Sequence, residues 1–370
     1  MAPKLLFKID IDCVGLKLLS PAKAKEKALK ALFVRKLIEK GWLSALLGYL
    51  AKRDELKVRL KYMGDVTLRR TDFEALAANA YYTAKCWPGL PEELARTAGS
   101  LLKLQDTLPW LVKALSLASS LCDKSRSLGK KVSISASPER LSLEINDASV
   151  AFNPSCVNFS SLSETFVIGE YEVPEVLSGL RGRDVIDVGA SVGDSALYFI
   201  LNGARKVIAV EPLPNVARCA EENLKLNGIT DEAKVINAAL GSGPAGVPCD
   251  YDVQLSNIFS TLSSSGPCKV PGVTLDYLLN MVDDPYLLKM DCEGCEAQVI
   301  LGPERERLRA FEHIIFETHP NITGVSDEKL LTSLKELGFE CRLHMVHEPK
   351  LGQNIYHCKN SKPRQPNREF

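Results

Sequence analysis

Hydrophobic positions change their period once along the chain. Between residues 21 and 62 they recur at helical spacing, as at Leu29, Leu32, Phe33 and Leu37, with Gly41 and Gly48 as punctuation. Residues 71–83 and 92–121 repeat this helical pattern, and Pro88, Pro91 and Pro109 break it. One strand is predicted ahead of these helices at Leu5–Ile11, and short alternating runs follow at 131–136, 141–145 and 150–152.

Farther on, apolar strands alternate with helices. Strands are predicted at Arg183–Val188, Lys206–Glu211, Lys234–Ala239, Tyr286–Asp291 and His313–Glu317. Helices are predicted at Gly193–Asn202, Asn215–Asn227, from about Cys295, and at Asp327–Leu337. Two last strands, Glu340–His347 and Asn354–Cys358, flank a Pro/Gly turn. Such an order predicts an α/β fold: a mostly parallel sheet covered by helices on both faces, closed by an antiparallel hairpin. The expected division is a mostly helical region over 1–130, short strands or linker over 131–160, an α/β ligand-binding domain over 161–360, and a polar tail over 361–370.

Composition adds bounds. The 370 residues are 45% hydrophobic and 25% charged, which suits a globular chain with a sizeable core. Net charge is zero but uneven: residues 1–70 hold 17 Lys/Arg against 7 Asp/Glu, and the remainder 29 against 39. The basic excess is read as a solvated helical face, with a grip on a polyanion as the competing reading. The longest apolar runs, Trp42–Leu50 and Leu115–Leu121, fall short of the ~18–20 residues a membrane span needs. Eleven cysteines without an apolar leader at Met1–Lys8 suggest reduced thiols in a cytoplasmic chain.

The chemistry concentrates at predicted strand ends. The first strand runs into DVGASVGDSA (187–196), where Gly189 and Gly193 permit a tight turn into a helix N-terminus. The second ends VIAVEP, placing Glu211 where an acid accepts hydrogen bonds from ribose hydroxyls. A dinucleotide loop reads G-x-G-x-x-G; here Ala190 and Ser191 fill the space a pyrophosphate would need. S-adenosylmethionine is therefore favoured over a nicotinamide cofactor. The fourth strand ends LLKMDCEGCE (287–296), interleaving a C-x-x-C pair, Cys292 and Cys295, with Asp291, Glu293 and Glu296.

Together with GEYE (169–172), VINAALG (235–241) and FETHP (316–320), these segments resemble the FkbM-type methyltransferases over residues 165–360 or so. LLKMDCEGCE corresponds to that family's K-x-D-x-E-G-x-E signature, with the cysteines in its variable slots. The resemblance implies a class I, Rossmann-like methyltransferase fold, S-adenosylmethionine as cofactor, and O-methylation of a hydroxyl on a sugar, lipid or small metabolite. It places Glu170 and Tyr171 over the methionine end of the cofactor. Asp187 is expected to anchor the glycine loop; Gly189, Ala190, Ser191, Gly193, Glu211 and Pro212 to border the cofactor; Asn237 and Ala238 to flank the adenine. Glu293, Asp291 and His319 are the catalytic candidates, since a hydroxyl acceptor must lose a proton; Asp291 could instead hold the cofactor's amino group.

Mg²⁺ between Asp291 or Glu293 and Glu317 or His319 is not adopted, because the spacing implies too little carboxylate convergence. Zinc at Cys341, His344, His347, His357 and Cys358 is set aside because neighbouring ligands alternate faces. No metal is expected. Two other functions stay open: an RNA methyltransferase using the basic N-terminal region, with nucleic acid not favoured, and a non-catalytic binding protein that keeps the fold.

Overall fold

The computed structural model describes residues 21–101, 104–129, 131–146, 148–249, 253 and 266–361. The strand expected at Leu5–Ile11 lies outside them. Helices α1 (Pro21–Val34), α2 (Trp42–Leu50), α3 (Arg70–Cys86), α4 (Leu90–Leu101) and α5 (Leu104–Leu128) build the first part. A small antiparallel sheet of β1 (Ile38–Lys40), β2 (Glu55–Leu60) and β3 (Gly64–Arg69) packs among them. This corrects the helical reading of residues 55–62. In β2 alternate residues Leu56, Val58 and Leu60 are buried and those between them exposed, a period of two that a strand satisfies. Pro109, expected as a breaker, lies inside α5.

An antiparallel meander follows, formed by β4 (Val132–Ser137), β5 (Arg140–Ile145) and β6 (Ala148–Phe152). Then come the one-turn helix α6 (Phe159–Leu162), a π-turn at Ser163–Ile168, and α7 (Pro174–Gly179).

The α/β part contains β7 (Asp184–Val188), α8 (Asp194–Leu201), β8 (Lys206–Val210), α9 (Pro214–Leu226) and β9 (Ala233–Ile236). Short strands β10 (Ala239–Leu240), β11 (Ala245–Val247), β12 (Cys268–Val270) and β13 (Gly272–Val273) form two minor ladders. The chain continues through α10 (Leu275–Leu279), β14 (Pro285–Met290), α11 (Cys295–Leu301), β15 (His313–Glu317), α12 (Pro320–Thr323), α13 (Asp327–Glu336), β16 (Phe339–Glu348) and β17 (Gln353–Asn360). The main sheet has the order β16-β17-β15-β14-β7-β8-β9. Strands β7, β8, β9, β14 and β15 are parallel; β17 and β16 add the antiparallel hairpin. This is the expected class I arrangement, and strand order reverses between β7 and β14, where a ligand crevice opens in such sheets.

Alternation within the strands divides the core. Val185, Val207, Leu287 and Ile315 join the cluster on the α8/α9 face, which continues into the N-terminal helices and the meander. Ile186, Ile208, Leu288 and Ile314 join the cluster on the face of α10, α11 and α13. Both faces are buried, so the strands read as largely apolar runs, interrupted by Asp184 and Asp187 in β7 and Lys289 in β14. Among the described residues, no helix is long and apolar enough to cross a membrane.

The expectation of reduced thiols is corrected. The ten cysteines of the described residues form five disulfides: Cys86–Cys122, Cys156–Cys219, Cys249–Cys268, Cys292–Cys295 and Cys341–Cys358. Cys341 and Cys358 face each other across β16 and β17. Disulfides of this number form under oxidising conditions. Alkylating the unreduced, denatured protein should leave these ten cysteines unmodified by mass spectrometry, and reduction should open all ten. Alkylation at Cys292 or Cys295 before reduction would show that pair to be open.

Candidate active site

A cavity of about 290 Å³ opens at the switch point, lined by Gly189, Ser191, Glu211, Lys289, Asp291 and Glu293 among others. Its floor is set by register. Asp187 on β7 and Lys289 on β14 are lateral partners in adjacent parallel strands. Both are fully buried, and Lys289 Nζ lies 3.1 Å from Asp187 Oδ1. Lys289 also donates to the Gly189 carbonyl at 2.6 Å, and Ser195 Oγ donates to Asp187 Oδ2 at 2.6 Å. Asp187 thus holds the loop through Lys289 and Ser195. Neither it nor Ala190, both fully buried, lines the cavity.

Gly189 has φ +78°, and a Cβ there would stand 1.7 Å from the Asp291 carbonyl oxygen. Only glycine lets the two loops meet this closely. Gly193, at φ +85°, caps α8 and packs against Ala220. Ser191, the cavity-lining residue between them, takes a left-handed φ of +48°.

Glu211 is 3% exposed. Its carboxylate accepts from Ser191 N at 3.1 Å and from Leu213 N at 2.9 Å. Each oxygen keeps capacity for a further hydrogen bond, and Glu211 lines the cavity. Burial raises its pKa to about 7, against the pull of those two N–H groups. Pro212 and Ala238 line the cavity. Asn237 does not; its Nδ2 donates to the carbonyls of Glu211 and Pro212, tying the second strand end to the third.

The acidic turn after β14 forms the other wall. Glu293 has φ +54° and lines the cavity, and its Oε2 has no hydrogen-bond partner. Burial raises Glu293 to about 7, with His319 pulling down and Asp291 pushing up. His319 is buried behind Glu293, with Nε2 3.5 Å from Glu293 Oε2 and Nδ1 3.1 Å from Glu296 Oε1. Burial opposes its charge, but Glu296, Asp291 and Glu293 outweigh that and raise it to about 9. Asp291 is lowered: burial acts against its charge, and Lys289 and His319 overcome it. Tyr171 Oη donates to Asp291 Oδ2 at 3.3 Å.

Sequence spacing implied little carboxylate convergence. The structure brings Glu164, Glu170, Asp291, Glu293 and Glu317 together with His319 and His347. Glu170 is buried beside His347 rather than on the cavity wall. Glu164 and Lys289 line the cavity and were not singled out as site residues; His347 lines it too and was weighed only as a zinc ligand, which was set aside. Lys289 was legible as the first letter of K-x-D-x-E-G-x-E; Glu164 and His347 carry no local signal. Cys292 and Cys295, joined to each other, also line the cavity.

Residues 187–341 match the family model described as "Methyltransferase FkbM domain". Over 121 residues the chain is 31% identical to ribosomal protein L11 methyltransferase of Streptococcus uberis, covering 33% of this chain and 32% of that protein. The same protein of Streptococcus mutans is 30% identical over 121 residues, again 33% and 32%. The chain therefore spans about a third of the length of these curated relatives. A solved magnesium protoporphyrin IX methyltransferase from Synechocystis, with S-adenosylmethionine bound, is 14% identical, covering 55% of this chain and 85% of that one at a TM-score of 0.34. The family match agrees with the resemblance carried by the motifs and with S-adenosylmethionine as the cofactor.

Replacing Lys289 by Met would leave Asp187 charged and unpaired in the core, a loss of about 3–5 kcal/mol for a broken buried pair. Urea unfolding should register this loss, and Asp187→Asn added to Lys289→Met should recover most of it. Equal stability of wild type and Lys289→Met would remove the pair from its structural role.

Proposed function

We propose that this chain transfers the methyl group of S-adenosylmethionine to a hydroxyl of a sugar, lipid or small metabolite. The observation that carries the reading is Glu293, a carboxylate on the cavity wall with a pKa raised to about 7 beside the loops expected to hold the cofactor. A base tuned near the working pH is what a hydroxyl acceptor calls for.

In this reading Glu211 accepts from the ribose hydroxyls, and Gly189, Ser191 and Pro212 border the nucleoside, with Ala238 on the adenine side. Asp291, held ionised by Lys289, receives the amino group of the methionine end. Tyr171 steadies Asp291 through its hydroxyl. Bound S-adenosylmethionine would supply the sulfonium methyl and leave as the thioether, and Glu293 would take the proton that the acceptor hydroxyl gives up. His319 does not reach the cavity wall and acts as a positioning residue: protonated, it spans Glu296 and Glu293.

A grip on RNA by the basic segment is less favoured. Many of its cations already have partners: Lys30 with Glu26, Lys61 with Glu92, Arg69 with Asp72, and Arg35 over the Trp42 ring. Steep loss of RNA binding with added salt would revive that reading.

Calorimetry with S-adenosylhomocysteine should give micromolar binding that Glu211→Ala weakens at least tenfold, roughly 1.4 kcal/mol. No binding by the wild type would overturn the proposal. Binding should also depend on pH with a definite sign. The ribose hydroxyls donate to the carboxylate, so bound cofactor lowers the Glu211 pKa and binding expels its proton. Affinity is then full above about pH 7 and falls by up to about tenfold per unit below it. With a carbon-13 methyl donor, the chemical shift of the transferred methyl separates an O-methyl from an N-methyl product. On the acceptor so found, Glu293→Gln should lower kcat by about 10²–10⁴ while S-adenosylhomocysteine affinity stays unchanged.

A further inference from the structure

The π-turn and the C-terminal hairpin bring together three ligand-type side chains that the proposed methyl transfer does not use. The backbone N–H groups of Gly169 and Glu170 both donate to the Glu164 carbonyl, at 2.8 and 3.2 Å, so the turn sets two glutamates side by side. The turn is anchored from below, where Thr165 Oγ1 and Ser161 Oγ each donate to buried Asp194 at 2.6 Å. His347, near the end of β16, faces this pair. Its Nε2 stands 3.2 Å from Glu170 Oε1 and 3.8 Å from Glu164 Oε1. One ligand atom from each of the three residues falls within 4.8 Å of the other two.

Two further observations point to a ligand. Glu170 is 1% exposed, yet its Oε1 accepts no hydrogen bond, its 3.2 Å contact with His347 Nε2 being an ion pair only when the imidazole is protonated. A buried carboxylate oxygen left this way is costly unless something positive completes it. Separately, His347 Nδ1 lies 2.6 Å from Glu317 Oε1. Metal-bound histidines are held in this way: the outer nitrogen donates to a carboxylate, which turns the inner one toward the ion.

We infer that Glu164, Glu170 and His347 bind a divalent first-row transition-metal cation, with Glu317 orienting His347. Two carboxylate oxygens and one imidazole suit Mn²⁺, Fe²⁺ or Zn²⁺ better than Mg²⁺ or Ca²⁺, which prefer oxygen throughout. Glu164 and His347 line the cavity, so the ion has open positions toward its contents. An acceptor hydroxyl bound there becomes more acidic and is fixed beside Glu293. That use rests on the methyltransferase reading; occupancy of the site does not.

The test strips the full-length protein with chelator and titrates it with Mn²⁺, following free Mn²⁺ by electron paramagnetic resonance and binding by calorimetry, with Zn²⁺ as competitor. One Mn²⁺ per chain is expected, displaced by Zn²⁺ and weakened at least about tenfold by Glu170→Gln and by His347→Gln. Glu170→Gln keeps the shape and removes a carboxyl whose ionisation burial already resists, so the metal-free variant should melt no lower than wild type while losing the Mn²⁺-induced rise in Tm. Absence of stoichiometric binding, or variants that bind as wild type does, would overturn the site. S-adenosylhomocysteine is titrated into the same stripped protein. Cofactor binding without cation binding defeats this inference alone; cation binding without cofactor binding defeats the methyltransferase reading and leaves the site standing.

Discussion

Everything at the switch point hangs on one buried ion pair. Lys289 and Asp187 have no water to solvate them and depend on each other, on Ser195, and on the Gly189 carbonyl. Such a pair is weak as a source of stability, because desolvation cancels much of the attraction. What it supplies is register. Lys289 reaches from β14 to the loop after β7, and that loop then has to pass against the Asp291 carbonyl, a fit open only to Gly189. Slipping β14 by one residue would turn Lys289 to the opposite face and replace it with Leu288 or Met290. The cavity walls are two loops clamped by a single cation.

The same cation sorts the acids around it. Asp291 is close enough to Lys289 to be held ionised despite burial. Glu293, one turn position on, is shielded from water and pushed toward neutral pH, with His319 limiting the rise. Glu317 and Glu170 are driven upward, first by burial and then by their acidic neighbours. Carboxylates of similar intrinsic acidity therefore divide into one that stays charged, one poised to exchange a proton, and others that resist ionising without a positive partner. Opposed environments for neighbouring carboxyls suit the two uses proposed for this cavity, holding a cation and moving a proton.

How much of this was legible follows from what determines each feature. The sheet was readable because both of its faces are buried: β7 and β15 are apolar through their middles, with charged or polar residues only where a partner is built in, as at Asp187, and the glycines between strand and helix have to be glycines. Gly189, Ser191 and Glu211 lie within local motifs, so sequence located them. The hairpin β2–β3 was missed because its Lys and Leu content imitates a helix, and only the alternation of Leu56, Val58 and Leu60 gives it away. Asn237 was placed against the adenine, whereas its amide is spent on the carbonyls of Glu211 and Pro212. Glu164, Glu170 and His347 come from a π-turn and a distant hairpin; their meeting is a property of topology, and no spacing along the chain encodes it.

The cysteines show the limit most clearly. In LLKMDCEGCE two chemistries share one turn; spacing left both open, and the family resemblance made the carboxylates the working groups and the cysteines bystanders. The fold gives the cysteines a mechanical part. Glu293 and Gly294 both take positive φ, +54° and +114°, between Cys292 and Cys295, and the disulfide closes across them. A non-glycine residue resists the left-handed region, so a Glu placed there needs support from its surroundings. The Cys292–Cys295 bond supplies it from one side, and the N–H of Gly294 donating to Glu296 Oε2 supplies it from the other. The turn that carries Glu293 on the cavity wall is thus braced covalently at its ends, and the two readings of the motif become one: the cysteines hold the carboxylate proposed as the base.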